Sequence, residues 1–390
     1  MPAESIVIVG AARTPIGSFQ GQFKSESATA LGAVAIAGAL ERAHLDADAP
    51  DEVFMGCVLP AGLGQAPARQ AAIAAGIPHR VGCTTVSKVC GSGMKAAMLG
   101  HDAILAGSAN VVVAGGMESM TNAPYLLKKA RGGYRLGHDA VYDHMFLDGL
   151  EDAYQRGVLM GKFAEDTAET YQFTRAQQDA YALESLARAK HAAAEGIFAR
   201  EIIAVRAGDV EIASDELPVR ADPAKIPRLK PAFREGGTVT AANSSGISDG
   251  AAALVLMSED EADRRSIAPL ARIVGHASHA QAPALFTMAP VGAIQKLREK
   301  IGWNPDDVDL YEINEAFAVV TLVAMRDLDI PREKLNVHGG ACALGHPIGA
   351  SGARIIVTLL NALREKDLKR GIASLCIGGG EATAMAVELL

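Results

Sequence analysis

Two stretches of the chain repeat one pattern and decide the fold: residues 105–119, LAGSANVVVAGGMES, and residues 368–383, LKRGIASLCIGGGEAT. Each has a polar turn, a short apolar run typical of a buried strand, and a glycine turn that ends near a glutamate. Three ordered matches at one spacing predict two copies of one α/β unit; the alternative is that two unrelated α/β halves share strand–glycine turns. The other two pairs, also about 260 residues apart, are IVIVGAARTP from Ile6 with ARIVGHASHA from Ala271, and DEVFMGCV from Asp51 with DLYEINEA from Asp309.

The rest of the chain also has an α/β pattern. Helices are predicted over Ala28–Arg42, Met94–Leu105 and Thr174–Ala194, where apolar and small residues recur at helical spacing. The segment 121–241 differs, because it carries RGGYRLGHD and a proline-rich loop, and it is predicted to be an inserted loop-rich domain. Strands are predicted at the apolar runs Ile6–Val9, Val111–Ala114, Ala252–Met257, Ala271–Val274 and Ser374–Ile377.

Composition excludes some classes of protein. The chain has 390 residues, of which 49% are hydrophobic, and its net charge is −8, which disfavours a nucleic-acid-binding surface. The five cysteines form no CxxC pair, so they are expected to be reduced thiols. Without a predicted leader or apolar membrane span, we expect a cytoplasmic protein with no membrane partner.

Cys90 is the first candidate for chemistry. It lies in SKVCGSGM, directly before the helical pattern that starts at Met94. A cysteine at a helix N-terminus is expected to have a lowered pKa, and the flanking Gly91 and Gly93 allow a strained turn and close backbone approach. This is the arrangement of a nucleophile elbow, with sulfur in place of oxygen. The alternative is a buried structural cysteine.

His346 is the second candidate. It stands between two glycine-rich turns in GGACALGHPIGASGAR, and Pro347 fixes the backbone just after it. A neutral imidazole is the usual activator of a thiol. A glycine-rich loop before a helix could instead bind phosphate, but neither Walker spacing nor GxGxxG is present, so that alternative is weak.

Cys376 and Asn314 are weaker candidates. Cys376 ends an apolar run before Gly378-Gly-Gly, where it could serve as a base or beside an oxyanion site, or simply fill the core. Asn314 ends another apolar run and is either a hydrogen-bonding group of a site or the N-cap of the next helix. The HxxH at His276 and His279 lacks an evident third ligand, so no metal site is predicted.

Five motifs in order, CGSGMKA, GGMESM, NEAFA, GGACALGHPIGASGAR and CIGGGEA, resemble the thiolase family over essentially the whole chain. The resemblance implies an α/β fold, a duplicated five-layered α-β-α-β-α sandwich with an inserted loop domain. The implied division is residues 1–120 with 242–268 for the N-terminal half, 121–241 for the loop domain, and 269–390 for the C-terminal half. The family's usual assembly implies a homotetramer, a dimer of dimers.

The same resemblance implies roles for the candidates. Cys90 would be the nucleophile that carries the acyl group, and His346 would activate it. Cys376 would be the acid/base that removes the α-proton, and Asn314 would hold a water that forms an oxyanion hole with His346. The backbone N–H groups of Cys90 and Gly378 would form a second oxyanion hole.

The nearest likeness is to biosynthetic thiolases, which implies an acyltransferase that condenses two acetyl-CoA to acetoacetyl-CoA, with acyl-CoA as its partner and no cofactor. The alternative is a degradative 3-ketoacyl-CoA thiolase that accepts longer chains. Leu159 stands where many biosynthetic members have histidine, and the segment 221–229 is short, which leaves chain length open. The implied coenzyme A contacts are Leu150, Met160, Arg220, Phe233, Ala241, Ser245, Met288, Ala316 and Phe317.

Overall fold

The computed structural model describes residues 4–390 of the chain. The strands in this range are β1 (Ile6–Arg13), β2 (Gly17–Ser18), β3 (Glu52–Gly56), β4 (Gly82–Val86), β5 (Val111–Ser119), β6 (Tyr125–Leu126), β7 (Tyr142–Asp143), β8 (Val205–Ala207), β9 (Val210–Ile212), β10 (Ser248–Ser258), β11 (Ala271–Ala280), β12 (Leu310–Ile313), β13 (Arg370–Ile377) and β14 (Glu381–Leu389). The helices are α1 (Ala28–Arg42), α2 (Pro67–Ala74), α3 (Ser92–Leu105), α4 (Met160–Tyr171), α5 (Arg175–Ala194), α6 (Glu216–Arg220), α7 (Glu259–Arg265), α8 (Ala289–Ile301), α9 (Ala318–Leu328), α10 (Ala341–Leu344) and α11 (Ser351–Glu365).

The predicted helices form where the sequence places them, and local caps set their first residues. The hydroxyl of Ser27 accepts a hydrogen bond from the backbone of Ala30 and starts α1. Thr174 is the N-cap of α5 rather than its first residue, and it forms a capping box with Gln177. The five predicted strands are present as β1, β5, β10, β11 and β13. Each is longer than its predicted run, at both ends for β10 and at one end for the others, because ladder pairing continues beyond the apolar residues.

The strands repeat one arrangement twice. In the first half the order is β3-β5-β10-β1, and in the second it is β12-β13-β14-β11. In each set the first pair is parallel and the next two pairs are antiparallel. Even an irregularity is shared, because the register shifts between Ile8 and Gly10 in β1 and between Ile273 and Gly275 in β11. The predicted duplication is therefore confirmed, and chance similarity between unrelated halves is excluded.

Five layers follow from how the helices pack. Helices α3 and α11 lie between the halves, where Met98 and Leu359 share a core with Leu254 of β10 and Leu375 of β13. Helices α1 and α2 cover the outer face of the first set of strands, and α8 and α9 cover that of the second. Because β1 also pairs with β11, the two sets form, with β2 and β4, one continuous ten-stranded sheet. Helix α11 is buried over residues 351–363, where apolar residues alternate with a helically spaced polar set. The polar residues are Ser351, Arg354, Thr358 and Asn361. The predicted α-β-α-β-α sandwich is confirmed.

Between β5 and β10 the chain leaves this repeat. The intervening segment contains the short strands β6–β9 and the helices α4–α6. Its Leu186, Phe198 and Ile226 form an apolar cluster with Ile16 and Leu344, which lie outside the segment. The boundaries at residues 120, 241 and 268 stay a prediction. Among residues 4–390, no helix is both long enough and apolar enough to cross a membrane.

Candidate active site

Cys90 lies in the turn between β4 and α3, as the sequence predicts. The strain in this turn falls on Val89, whose φ of +44° is unusual for a β-branched residue. The hydroxyl of Ser92 holds the turn, because it accepts from the backbone N–H of Lys88 at 2.8 Å and donates to the carbonyl of Val89 at 2.7 Å. Lys88 also forms an ion pair with Glu381, which follows the glycine turn of the second half. The two turns are thus tied to each other.

The glycines beside Cys90 serve close packing rather than backbone freedom. A Cβ at Gly91 would overlap the side chain of Ile377, which adjoins Cys376. A Cβ at Gly93 would lie 2.8 Å from the backbone nitrogen of Ala353 in α11. Small residues at these positions therefore let the Cys90 turn approach both the Cys376 turn and the central helix of the other half.

The thiol of Cys90 is not acidified as the sequence predicts. Burial raises its pKa to about 11, although the backbone N–H groups of Gly378 and of Cys90 itself lower it, and Glu118 raises it slightly. The prediction of a lowered pKa was wrong, because the cost of desolvating a thiolate exceeds the stabilisation from the nearby N–H donors. The resting group is a neutral thiol, so a base must remove its proton during attack.

His346 is positioned and its tautomer is defined by hydrogen bonds. The hydroxyl of Ser351 donates its single hydrogen to the carbonyl of Pro347 at 2.9 Å, so it must accept from Nδ1–H of His346 at 2.6 Å. This leaves the Nε2 lone pair free to accept a proton. Burial, and then the charge of Arg354, lower the pKa of His346 to about 3, so the imidazole is neutral at rest.

Asn314 follows β12 and faces His346. Its Nδ2 lies 3.5 Å from Nε2 of His346, and its Oδ1 accepts from Arg354 at 3.4 Å. Arg354 is itself held by the buried carboxylate of Glu312 at 2.9 Å. The N-cap of the next helix is Phe317, so the capping alternative for Asn314 is wrong. The side chain is instead part of the hydrogen-bonded chain that ends at the imidazole.

Cys376 is the penultimate residue of strand β13 and is 1% exposed. Burial, and then the charge of the neighbouring Cys90, raise its pKa well above that of an ordinary thiol, while its own backbone N–H lowers it. The strand ends in a tight turn in which Gly379 and Gly380 have φ of +91° and +88°. This turn brings the backbone of Gly378 to the sulfur of Cys90. The two cysteines therefore share one site.

Glu118, which the sequence analysis did not single out, connects two loops beside this site. Its buried carboxylate accepts from the backbone N–H groups of Val58, Leu59 and Gly349 at 2.9–3.1 Å. It therefore joins the loop after β3 to the loop that follows His346. The available signal was an acidic residue at the end of an apolar strand in GGMES. Burial raises the pKa of Glu118 to about 7 against the lowering by these donors.

This raised pKa predicts a pH dependence of stability. The pKa of Glu118 is 4.5 in the unfolded chain and about 7 in the folded protein, so between these two pH values only the folded protein keeps the proton. The free energy of unfolding should therefore fall as pH rises through this window. The expected loss is about 3 kcal/mol, at ~1.4 kcal/mol per pKa unit. Urea denaturation of Glu118→Gln between pH 4.5 and 8 should lack this part of the slope. Glu41→Gln, on the exposed face of α1, should follow the wild type; parallel curves for all three proteins would contradict the assignment.

A cavity of about 650 Å³ brings together eight of the nine predicted coenzyme A contacts. Its walls are mostly apolar, with Phe233 and Phe317 packed edge to face at 5.9 Å between ring centroids. Met288 is not among the lining residues, and Leu159 is. An apolar cavity with a few polar groups at its rim is typical of small-molecule sites. The predicted lining residues are Leu150, Met160, Arg220, Phe233, Ala241, Ser245, Ala316 and Phe317.

Arg220 lies at the rim of this cavity, at the end of α6. Its side chain is largely exposed, and it donates to Ser18 at 2.9 Å and to Glu216 at 2.7 Å. A larger cavity of about 860 Å³ lies elsewhere, between Arg42 and Arg364, and none of the predicted groups lines it. The smaller cavity is therefore the one that the predicted coenzyme A contacts define, whereas Cys90, His346 and Cys376 are not among its lining residues.

The fold and the paired cysteines define the class to which the chain belongs. Two family models match it: the thiolase N-terminal domain over residues 6–260 and the thiolase C-terminal domain over residues 267–389. The chain therefore belongs to the thiolase family.

Particular relatives are similar over their full lengths. The chain is 51% identical to acetyl-CoA acetyltransferase 1 of Arabidopsis thaliana, covering 99% of this chain and 94% of the relative. It is also 51% identical to the acetyl-CoA acetyltransferase of Escherichia coli, covering 99% and 100%. Among solved structures, a thiolase from Ascaris suum in complex with coenzyme A superposes with a TM-score of 0.95 at 43% identity, covering 99% of this chain and 100% of that one.

Proposed function

We propose that the protein is an acetyl-CoA C-acetyltransferase, which condenses two acetyl-CoA to acetoacetyl-CoA and free coenzyme A in a reversible reaction. The observation that carries this proposal is that Cys90 and Cys376 adjoin each other at turns of the two halves, with Cys90 packed against the apolar cluster that contains Ile348, two residues after His346. The names of the relatives, at 51% identity over nearly the whole chain, support acetyl-CoA as the substrate.

Acyl transfer is the first proposed step. The Cys90 sulfur attacks the thioester carbonyl of acetyl-CoA while Nε2 of His346 takes its proton, which fits the tautomer fixed by Ser351. The backbone N–H groups of Cys90 and Gly378 stabilise the tetrahedral oxyanion. The bond from the acyl carbon to coenzyme A then breaks, and the departing thiolate takes a proton from the Cys376 thiol. The products are acetyl-Cys90, a Cys376 thiolate and a protonated His346.

Carbon–carbon bond formation is the second step. The Cys376 thiolate removes the α-proton of a second acetyl-CoA, and the enolate oxygen accepts hydrogen bonds from Nε2–H of His346 and from a water held by Asn314. The enolate carbon attacks acetyl-Cys90, and the Cys90–acyl bond breaks. His346 returns its proton to Cys90, so both cysteines end as thiols.

Coenzyme A is proposed to lie in the cavity beside Phe233 and Phe317, with Arg220 at the rim near its anionic end. Met288 does not line the cavity, but it stays a proposed coenzyme A contact. No cofactor is proposed, because side chains, backbone donors and the water held by Asn314 supply every proton and hydrogen bond in the two steps. Nucleic acid and membrane are not proposed as partners, and the cytoplasm is the proposed location.

Chain-length selectivity tests the proposal against the degradative alternative. Thiolysis of acetoacetyl-CoA should have the highest kcat/KM, exceeding that for 3-ketohexanoyl-CoA by roughly 10-fold or more, as expected when two extra methylenes do not fit. Steady-state rates across a series of 3-ketoacyl-CoA substrates measure this. A kcat/KM that rises with chain length would favour a 3-ketoacyl-CoA thiolase instead.

Assembly as a homotetramer is proposed to use the segment that follows β6. Large apolar side chains are exposed here, with Leu136 at 96% and Leu127 at 54%. Deleting residues 131–138 should therefore reduce the mass from four subunits to two, as measured by light scattering. A deletion variant that stays tetrameric, or a native protein that is only a dimer, would contradict this role.

A further inference from the structure

Three potential metal ligands converge where the C-terminal part of α3 meets β11. His276 of β11 meets His101 and Asp102, which lie in the C-terminal part of α3. Nε2 of His276 is 3.3 Å from Nδ1 of His101 and 2.9 Å from Oδ1 of Asp102. The third side of this triangle, from Nδ1 of His101 to Oδ1 of Asp102, is 3.0 Å.

The triangle has nearly the size that a tetrahedral ion requires. With zinc–nitrogen and zinc–oxygen bonds of about 2.0–2.1 Å, two ligand atoms of a tetrahedron lie about 3.3 Å apart. The three observed separations of 2.9–3.3 Å therefore need only a small expansion. The two imidazole rings stand edge to face, at 87° with 4.9 Å between their centroids, so they do not stack on each other.

The surrounding charges also bear on cation binding. The carboxylate of Asp102 supplies the one negative charge among the three ligands. The ammonium of Lys300, which donates to the carbonyl of His276 at 3.2 Å, is the one nearby cation that opposes binding among the described contacts.

We propose that His101, Asp102 and His276 form a binding site for one divalent transition-metal ion of the zinc class. Two imidazoles and a carboxylate are the ligands of zinc and cobalt(II), whereas magnesium and calcium prefer oxygen alone. The fourth position would be open to solvent, since the side chain of Asp102 is 51% exposed while both imidazoles are mostly buried.

The proposed ion would join the two halves of the molecule away from the reaction. It would link α3, which starts just after Cys90, to β11 of the second half. None of its ligands lines the 650 Å³ cavity. Its expected effect is thus on stability, since an ion that binds the folded state alone raises the melting temperature. His279, the other histidine of the HxxH, bonds instead to Gln281 at 3.0 Å.

Cobalt(II) and zinc(II) are the probes for this site. The full chain, dialysed against a chelator and with its thiols blocked by alkylation, should bind one cobalt(II) with visible d–d bands. His276→Gln should bind it roughly 100-fold more weakly or worse, since losing a direct ligand should exceed the 10–100-fold cost of losing a ligand's hydrogen-bonding partner. His279→Gln, on the same strand, is the matched control and should bind as the wild type does.

Thermal melting gives the second readout. Zinc(II) should raise the melting temperature of the wild type and of His279→Gln but not that of His276→Gln, which should melt normally in the absence of metal. Equal cobalt binding by both variants would overturn the proposal. So would an absence of cobalt bands in the wild type, which would leave two histidines that merely donate hydrogen bonds to one carboxylate.

Discussion

Replacing Cys90 by alanine should abolish turnover in both directions. Because this sulfur is proposed to carry the acyl group, its loss removes the covalent route, and kcat should fall by roughly 10⁴–10⁶-fold, as when other enzymes lose their nucleophile. Incubation of the wild type with acetyl-CoA alone should add one acetyl group to the Cys90 peptide, as measured by mass spectrometry after digestion. The variant should show no acetylated cysteine.

Cys83→Ala provides the matched control for this experiment. Cys83 is another half-buried thiol, on β4 shortly before the same turn, and it contacts the carbonyl of Val81 rather than the site. This variant should keep its activity and its acetyl-Cys90 peptide. An active Cys90→Ala enzyme, or a wild type in which the acetyl group is found only on Cys376, would show that the nucleophile is misassigned.

The fold was predictable because its signals are local and occur twice. A buried strand followed by a glycine turn is readable in residues 105–119 and 368–383 alone, and the common spacing then implies a repeated unit. The structure adds information that no single stretch of the sequence contains. The order of strands and the shared register shifts at Gly10 and Gly275 arise from pairing between distant segments.

The reactive groups of the site were predictable from the sequence, but the residues that hold these groups in place were not. Cys90 and His346 stand in distinctive glycine-rich turns, whereas Ser351 and Arg354 look like ordinary residues of a helix. Their importance comes from burial, which leaves each polar group dependent on a specific partner. The same holds for Glu118, whose three donors come from segments about 60 and 230 residues away.

Burial also explains why the predicted lowering of the Cys90 pKa was wrong. A helix N-terminus favours a thiolate, but that argument assumes a solvated sulfur. In the folded chain desolvation is the larger effect on Cys90, and it also keeps His346 neutral. Sequence shows the position of the helix, yet it does not show how much water is excluded from the turn.

Replacing Cys376 by serine should separate the two half-reactions. Serine keeps the shape of the side chain, but its hydroxyl is far less acidic than a thiol and is a poor source of the anionic base. The variant should still form acetyl-Cys90, because attack and oxyanion stabilisation need Cys90, His346 and the N–H of Gly378. Loss of the Cys376 proton should slow this step only modestly, since a thiolate of ordinary pKa can depart unprotonated. Exchange of the acetyl-CoA methyl protons with D₂O should fall by ~10²–10⁴-fold, which is the usual effect of removing a general base.

The ratio of these two rates within one variant decides the assignment, because groups in one site do not act independently. Cys342→Ser is the control: its sulfur contacts the backbone of Glu315, so both rates should stay near those of the wild type. Acetylation followed by mass spectrometry and methyl exchange followed by NMR measure the two steps separately. If Cys376→Ser slows both by the same factor, Cys376 is not a dedicated α-proton base, and His346 becomes the better candidate for that role.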